Sequence, residues 1–535
     1  MSIFSIGLSG LRAAQAGLYA TSNNISNVNT DGYNRELVNL SENRMQGVEV
    51  DGITRQFNQF VATRLNAASG SYESLETYYS QVRQIDNVLS DERSGLNAVM
   101  EKFFGALSQF AGNPADPSAR EGVLGTASTL TAQFRSFDNY LRDIETNVNS
   151  QVKFEVDAIN TMTGQVASLN EEILMARAVS GVAPNSLLNQ RDQIVHELSQ
   201  KMDVRVYEQK SGSYTLSLSN GSPLVAGDRV YQLETVTDPA DPSRVSIMYN
   251  DVAGNPVALK DSVFSRGAVA GLLEFRAQSL DKIRDQLGQM VVAFASAFNE
   301  QHMAGTDLNQ QPGQAMFSLG QTVTNTNLQN AGTATATTTI TDPQALLATG
   351  YDVKQTATGL EVTRLDNGKQ VAATFDAGTN TLSFNGLEVA FDAGTLVDGD
   401  RFRVNPLREQ AANFDLLLTE GSELAAAQSN ASGDNRNALA LSQLQGDLIV
   451  EGNATVSQAY GAMISSLGNQ INVVQANMAA QQGLTEQLEG LQQSESGVNL
   501  DEEAANLIRY QQYYQANAKV IETGSTLLDT ILSLR

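Results

Sequence analysis

The sequence contains no cysteine, so several kinds of chemistry are excluded at once. A chain without thiols forms no disulfide, offers no thiolate nucleophile and builds no zinc site that needs a cysteine ligand. Histidine is nearly as scarce, because His196 and His302 are the two in the chain and lie far apart in the sequence. A metal or histidine-based catalytic site would need acidic residues to complete it, so we expect both histidines to be structural or surface residues.

Basic residues are few relative to acidic ones. The 535 residues include 34 lysines and arginines against 59 aspartates and glutamates, a formal net charge of -25. This charge disfavours nucleic acid and anionic membrane surfaces as partners. No apolar run reaches the length of a membrane span, and the opening MSIFSIGLSGLRAAQ lacks the basic and apolar regions of a cleaved signal peptide. We therefore expect no nucleic-acid binding and no membrane insertion.

Motifs for enzymatic chemistry are also missing. The sequence has neither a Walker loop nor a dinucleotide-binding glycine motif after a strand. The adjacent acids Glu502 and Glu503 would point about 100° apart on a helix, so we expect a solvated helix face rather than an acid-base pair. The segment DAGTLVDGDRF lacks the ligand order of a calcium loop and predicts a polar hairpin turn. The sequence predicts no catalytic residue, no cofactor and no metal.

What the sequence does contain is helical periodicity at both ends. Apolar residues recur in alternating steps of four and three near each terminus, which is typical of a coiled-coil seam. A terminal helix with a narrow apolar stripe is marginal in water and needs a partner. The simplest partner for each terminal helix is the other one, with the remaining apolar surface left for neighbouring molecules. The predicted assembly seam consists of Phe4, Leu8, Leu11, Leu18, Ile25, Leu500, Leu507, Tyr514, Ile521, Leu528 and Leu532.

Between the ends, helical seams alternate with two segments of period two that predict strands and turns. The predicted fold class is multidomain α+β, with long terminal and central helices in a coiled-coil or helical bundle and two inserted β-rich modules. The predicted divisions are 1–55 with 495–535 for the terminal helices, 56–203 with 265–332 and 406–494 for the long-helix bundle, 204–264 for the first β-rich module, and 333–405 for the second.

An asparagine-rich segment, SNNISNVNTDGYNR, directly follows the first helical seam. Asparagine and serine compete for backbone hydrogen bonds, so the first helix should end near Ile25. The longer stretch LRAAQAGLYATSNNISNVNTDGYNRE resembles the N-terminal signature of the axial proteins of the bacterial flagellum, which are the rod, hook and hook-associated proteins.

Further segments resemble the hook-associated protein 1 family, whose members join the hook to the filament. They are GNPADPSAR, NSLLNQRDQIVHELSQ, FNEQHMAGTDLNQQPG, GDNRNALAL and SGVNLDEEAANLIRYQQYYQANAKVI, and together with the N-terminal signature they reach from one end of the chain to the other. The sequence departs from the family pattern at Gln310, where the family usually has a glycine. In the last segment, Asn499 or Asp501 can cap the final helix.

The resemblance implies a structural protein that is not an enzyme and that polymerises through its terminal helices. The implied partners are copies of itself in a ring, the flagellar hook protein, the next hook-associated protein on the filament side, and an export chaperone at the C-terminal helix. The implied location is the extracellular flagellum, reached by type III export without a cleaved signal peptide. Two alternatives remain, another axial protein such as hook or distal rod, and an acidic extracellular hydrolase with clustered carboxylates in a cleft.

Overall fold

Long helices form the frame of the computed structural model, which describes residues 3–43, 47–89, 95–182, 184–251, 253–429 and 433–533. The helices are α1 (Ile3–Ser26), α2 (Gln59–Leu89), α3 (Leu96–Gly112), α4 (Pro117–Ser180), α5 (Asn185–Lys201), α6 (Gly267–Phe275), α7 (Asp281–Met303), α8 (Arg436–Gln443), α9 (Val456–Ser496) and α10 (Leu500–Ser533). None of the helices in these ranges is long and apolar enough to cross a membrane.

Short antiparallel strands make up the rest of the regular structure. They are β1 (Glu36–Glu42), β2 (Val48–Arg55), β3 (Arg205–Glu208), β4 (Tyr214–Ser217), β5 (Pro223–Ala226), β6 (Arg229–Val230), β7 (Leu233–Thr237), β8 (Val245–Asn250), β9 (Pro256–Ala258), β10 (Val323–Thr326), β11 (Ala336–Ile340), β12 (Tyr351–Thr356), β13 (Gly359–Arg364), β14 (Gln370–Val371), β15 (Thr374–Asp376), β16 (Thr381–Phe384), β17 (Leu387–Phe391) and β18 (Arg401–Asn405). The multidomain α+β fold class is confirmed.

Capping residues define the ends of the two long central helices. Asp116 precedes α4 and its carboxylate accepts a hydrogen bond from the Ser118 backbone N–H at 2.9 Å, while Gly181 ends α4 in the left-handed conformation. At the start of α9, Thr455 and Gln458 exchange hydrogen bonds with each other's backbone N–H groups in a capping box. These caps explain why helices of 64 and 41 residues begin where they do.

The helices α2 to α9 form the helical body of the protein. An aromatic cluster lies at its centre, where α3 and α7 meet the segments that flank the second β module. Phe294 and Phe298 of α7 stack with their ring centroids 4.4 Å apart, and Phe103 of α3 lies 5.4 Å from Phe298. Phe317 and Phe414 complete the cluster, and all five side chains are fully buried. Such close packing of large rings dominates the stability of a core.

The two β modules are built from separate sheets. The first contains the sheets β3-β4-β5-β6 and β7-β8-β9, within the predicted range 204–264. The second contains β10-β18-β12-β13-β14 and β11-β17-β16-β15. The five-stranded sheet includes β10, which precedes the predicted boundary at 333. In this sheet β10 pairs with β18, and Val323 lies opposite Asn405. The two ends of the second module therefore lie side by side.

Candidate assembly site: the terminal helix pair and its polar joint

The two terminal helices pack against each other in antiparallel orientation, because the start of each lies beside the end of the other. Gly7, near the start of α1, faces Ile521 near the end of α10, and a Cβ at Gly7 would lie 2.7 Å from Ile521 Cγ1. Farther along, a Cβ at Gly17 would lie 2.5 Å from the Tyr510 ring. Because no side chain fits at these two positions, glycine is what allows the helices to approach this closely.

The face that α1 uses for this contact consists of small residues. Its buried positions are Gly7, Ala13, Ala14, Gly17, Ala20, Thr21 and Asn24. The predicted seam lies on a neighbouring face, where Phe4, Leu11, Leu18 and Ile25 are half-buried and Leu8 is exposed. Large side chains on the contact face would separate the helices, so the small face pairs within the chain. Phe4 lies beside Gly524 of α10, and Leu8 remains exposed.

On α10, the predicted seam is divided between contact and solvent. Leu507 and Ile521 are half-buried, and Ile521 is the residue that covers Gly7. Leu500, Tyr514, Leu528 and Leu532 are exposed. Along the whole of Leu500–Ser533 the buried residues are Glu503 and Gly524. The helix therefore leaves most of its apolar surface uncovered in the single chain.

The β1-β2 hairpin covers another face of α1. Its far end reaches back along the helix, where the Val48 backbone N–H donates to Ser9 Oγ at 3.3 Å. The hairpin lies within residues 1–55, for which the sequence predicts terminal helices alone. The alternation of Val48 and Val50 with charged residues, followed by Gly52, is the signal that could have indicated it.

The asparagine-rich segment forms a buried polar joint at the inner end of the helix pair. Asn24 is buried; its amide oxygen accepts from the Glu36 backbone N–H at 2.8 Å and from the Tyr33 hydroxyl at 2.8 Å. Its amide nitrogen donates to Glu36 O at 3.0 Å and to Glu503 Oε2 at 3.2 Å. Burial, assisted by the nearby carboxylates of Glu36 and Glu503, raises the pKa of Tyr33, so the phenol remains a donor. The asparagine satisfies backbone and side-chain groups that the turn would otherwise leave unpaired.

The expectation that Glu502 and Glu503 form a solvated face is wrong for Glu503. Glu503 is 1% exposed, and Arg35 reaches its Oε1 with Nε at 2.8 Å and Nη2 at 2.7 Å. Arg35 Nη1 also contacts Glu502 Oε2 at 2.8 Å, but that glutamate has a side chain 58% exposed. Asn499 caps α10, as expected, by accepting from the Asp501 backbone N–H at 2.9 Å. A buried carboxylate requires a paired cation. Here the cation, Arg35, is 468 positions away in the sequence, so the apolar periodicity of α10 does not indicate the pair.

Side chains of α5 connect this joint to the helical body. Asn34 Nδ2 donates to Asn189 Oδ1 at 2.8 Å, and Arg55 Nη1 donates to the same oxygen at 2.9 Å. Arg55 also pairs with Asp192 at 2.5 Å. The Asn185 amide donates to Glu36 Oε1 at 3.0 Å. These bonds fix the orientation of the terminal pair relative to the body.

A groove of about 980 Å³ lies beside the joint, between the asparagine-rich loop, α2, α5 and the end of α9. His196 lines it and contacts Asn66 Oδ1 through Nδ1 at 2.9 Å. Burial lowers the pKa of His196, which favours the neutral ring. Across the described ranges, no group of three or more His, Asp or Glu side chains could hold a metal ion. His196 therefore serves as a hydrogen-bonding residue here.

His302 is a structural residue inside the body. Its Nδ1 lies 2.6 Å from Gln314 O and its Nε2 accepts from the Ala425 backbone N–H at 2.9 Å. The acceptor role of Nε2 requires the neutral tautomer with the proton on Nδ1. Burial accordingly lowers the pKa of His302.

Clustered carboxylates occur in the body, but they are buried and paired with arginines. Asp241 lies 2.8 Å from Arg408, which also contacts Asp281 at 3.2 Å, and Glu145 pairs with Arg284. This cluster joins α4 and α7 to the first β module, through Asp241, and to the segment directly after the second, through Arg408. The hydrolase alternative requires carboxylates that face a cleft, and these carboxylates face guanidinium groups instead.

The chain matches family models along most of its length. Residues 82–317 match the flagellar hook-associated protein FlgK helical domain, and residues 324–406 match the flagellar hook-associated protein 1 D2-like domain. Rod-protein models match the two ends, a flagella basal body rod protein at residues 4–34 and the flagellar basal body rod FlgEFG protein C-terminal at 492–534. Flagellar hook-associated protein 1 of Escherichia coli K12 is 38% identical over the full length of both chains. The chain belongs to the flagellar hook-associated protein 1 family.

Other relatives and a solved structure agree with this membership. Flagellar hook-associated protein 1 of Salmonella typhimurium is 37% identical over the full length of both chains. The structure of the flagellar hook junction protein FlgK from Burkholderia pseudomallei superposes with a TM-score of 0.75 and 29% identity, covering 80% of this chain and 99% of that one. The chain is thus a structural component of the bacterial flagellum. Its membership of the hook-associated protein 1 family favours that role over the hook and rod alternatives.

Proposed function

We propose that the chain joins the flagellar hook to the filament as a non-enzymatic subunit that polymerises through the outward faces of α1 and α10. One observation carries the proposal. The small face and the hairpin face of α1 are covered within the chain and Phe4 packs beside Gly524, but Leu8 and Tyr19 remain exposed and Leu11 and Leu18 are only half-buried. An apolar helix face that its own chain leaves uncovered is typical of an interaction site.

The uncovered surface of α10 supports the same proposal. The helix exposes a series of large apolar side chains, which are Leu500, Ile508, Tyr513, Tyr514, Val520, Leu527, Leu528, Ile531 and Leu532. Fully burying one such side chain contributes about 1.5–3 kcal/mol. Several of them buried between subunits suffice to offset an association cost of roughly 4–15 kcal/mol. Head-to-tail contacts between two different faces close into a ring or extend into a tube.

The proposed partners follow from the two ends of such a ring. Copies of the chain contact one another laterally, the hook protein lies on one side, and the next hook-associated protein lies on the filament side. Before assembly the stripe on α10 requires cover, for which an export chaperone is the proposed partner. The proposed route is type III export without a cleaved signal peptide, to the extracellular flagellum. Deleting residues 500–535 should abolish chaperone binding in a pull-down, and unchanged binding would place the chaperone site elsewhere.

A charge placed on the open faces tests the assembly proposal. Leu11→Asp and Leu528→Asp should each abolish filament attachment, because a carboxylate without a partner is costly to bury between subunits. Gln515→Asp is the matched control for Leu528→Asp. Gln515 is also exposed on α10, but it is not one of the apolar residues. Motility and secreted flagellin separate assembly from export. Normal filaments on cells that carry either leucine variant would contradict the proposal.

A further inference from the structure

The second β module rests on one face of α7. Gln289 Nε2 donates to Leu346 O of the module at 2.7 Å, and Val292 is completely buried in the module's own apolar core. Asp285 lies four residues before Gln289 and seven before Val292, which places it on the same face of the helix. These three residues of α7, Asp285, Gln289 and Val292, form the module seat.

The buried cluster of arginines and carboxylates beside the module seat is complete without Asp285. Its three guanidinium groups and three carboxylates pair with one another, and they belong to Arg244, Arg284, Arg408, Glu145, Asp241 and Asp281. Asp285 is a fourth carboxylate, 8% exposed, and in the described part of the chain it makes no ion pair or hydrogen bond. An ionised Asp285 would therefore add one negative charge more than the three guanidinium groups balance.

Other titratable groups surround the module seat, and they are Asp138 and Arg142 of α4, Lys282 of α7, Tyr351 of β12, Glu409 and Glu451. Arg142 contacts both nearby carboxylates, at 2.7 and 2.9 Å, and Lys282 is exposed. Glu451 accepts a hydrogen bond from Gln289 at 2.9 Å. Burial raises the pKa of Tyr351, so its phenol stays neutral. None of these groups places a cation against the fourth carboxylate.

A buried carboxylate without a paired cation is costly, so the neutral acid is favoured. Burial raises the pKa of Asp285 to about 7; Arg408 acts in the opposite direction, and the Asp281 carboxylate acts in the same direction as burial. The side chain is therefore neutral in a mildly acidic medium and charged in an alkaline one. We propose that Asp285 is a pH-sensitive switch, which holds a proton while the second β module is firmly seated and whose ionisation loosens the module from α7.

The direction of the effect follows from the protons bound in each state. An exposed aspartate ionises near pH 3.9, so a chain with the seat open binds fewer protons than the seated chain between about pH 4 and 7. The stabilising contribution of Asp285 is thus fully present below this window and is lost as the pH rises through it. Opening of the seat should become about tenfold more frequent per pH unit across the window and level off above it.

The absence of cysteine makes the module seat measurable with one introduced thiol. Val292 is completely buried, so the Val292→Cys chain reacts with a thiol reagent only when the seat opens. Its labelling rate in the full-length chain is divided by the rate in urea at the same pH, which removes the effect of thiol ionisation. Val166→Cys in α4 is the reference, because Val166 is also completely buried but belongs to the core of the body.

The expected result is a rise in corrected labelling of Val292→Cys by at least about tenfold between pH 5.5 and 7.5. Adding Asp285→Asn should remove this rise, because the amide is neutral at both pH values. Glu300→Gln is the matched control, since it removes an exposed carboxylate from the same helix and should preserve the rise. Val166→Cys should show a smaller change, and an equal rise there would mean that the whole body opens. No rise at Val292→Cys, or the same rise with Asp285→Asn, would overturn the proposal.

A second measurement detects the proton itself. The infrared difference spectrum between wild type and Asp285→Asn should show a protonated carboxyl group at pH 5.5 that has ionised at pH 8.5. If Asp285→Asn does not fold, Asp285→Ala removes the same carboxyl group and serves in both experiments. A wild-type spectrum without this protonated group at pH 5.5 would also overturn the proposal. The switch is a property of the single chain, so failure of the assembly proposal would leave it untouched.

Discussion

The helical body and the terminal helix pair use similar sequence patterns with opposite outcomes. In α4 the apolar seam residues Phe134, Val148 and Ile159 are completely buried by other parts of the same chain. In α10 the corresponding stripe leaves Leu528 47% exposed, and the contact with α1 includes close approaches at Gly7 and Gly17 and the buried Arg35–Glu503 pair. A coiled-coil pattern thus predicts that a helix needs a partner, but not whether that partner belongs to the same chain.

The largest expected difference between the two regions is in the cost of removing an apolar side chain. Phe294→Ala should lower the free energy of unfolding of the isolated chain by about 3–5 kcal/mol, because it opens a cavity in the aromatic cluster. Leu528→Ala should change it by less than about 0.5 kcal/mol. Urea unfolding monitored by circular dichroism measures both. Equal losses would mean that α10 is stabilised within its own chain as strongly as α7.

Deleting the second β module tests how far the body depends on its insertions. Because Val323 and Asn405 are ladder partners, a short Gly-Ser linker can replace residues 323–405. Val292 and Leu407 pack against the module and lose cover, so a drop in melting temperature of a few degrees is expected. Export and filament attachment should persist, since α1 and α10 are unchanged. Secretion of unpolymerised flagellin by cells with a folded deletion variant would show that the module takes part in assembly.

The buried histidine of the body, His302, predicts a pH dependence of stability. Burial lowers the pKa of His302 in the folded state, so the unfolded chain binds a proton first as the pH falls below about 6.5. The contribution of His302 to stability is therefore present above that pH and declines below it, by at most about 1.4 kcal/mol per pH unit. The difference in unfolding free energy between wild type and His302→Gln should shrink from pH 7.5 to 5.5. His196 is present in both chains, so its titration cancels; a constant difference would contradict the neutral role of His302.

The smallest expected effect is at the turn where the chain departs from its family. Gln310 has φ of 60°, in the left-handed region that costs a non-glycine residue about 1–2 kcal/mol. Gln310→Gly should raise the unfolding free energy by about 0.5 kcal/mol, after the extra backbone entropy of glycine in the unfolded chain is subtracted. Gln311→Gly is the control and should lower it by a similar amount, because Gln311 does not have positive φ. Stabilisation by both variants would point to a cause other than strain at Gln310.

Helices with a regular apolar repeat are predictable from the sequence, whereas contacts between residues far apart in the chain are not. The helices α4 and α9 were predictable because their apolar residues repeat over many turns. The β1-β2 hairpin and β10 were missed because β1 is mostly exposed and β10 has four half-buried residues, so neither carries a strong alternating apolar pattern. The burial of Glu503 depends on Arg35 and Asn24, which are brought to it by the antiparallel pairing of the chain ends. No pattern near Glu503 reports that pairing.

The central claim is that the helical body is stable in the single chain, whereas the terminal helix pair is stabilised by neighbouring subunits. Amide hydrogen exchange tests this claim most directly. In the dilute chain, α3 and α7 should be strongly protected, whereas protection of α1 and α10 should be weak and should fall from Asn24 and Glu503 toward the free ends. In assembled junctions, both terminal helices should become protected along their whole length. Strong protection of both terminal helices in the dilute chain, unchanged on assembly, would contradict the account.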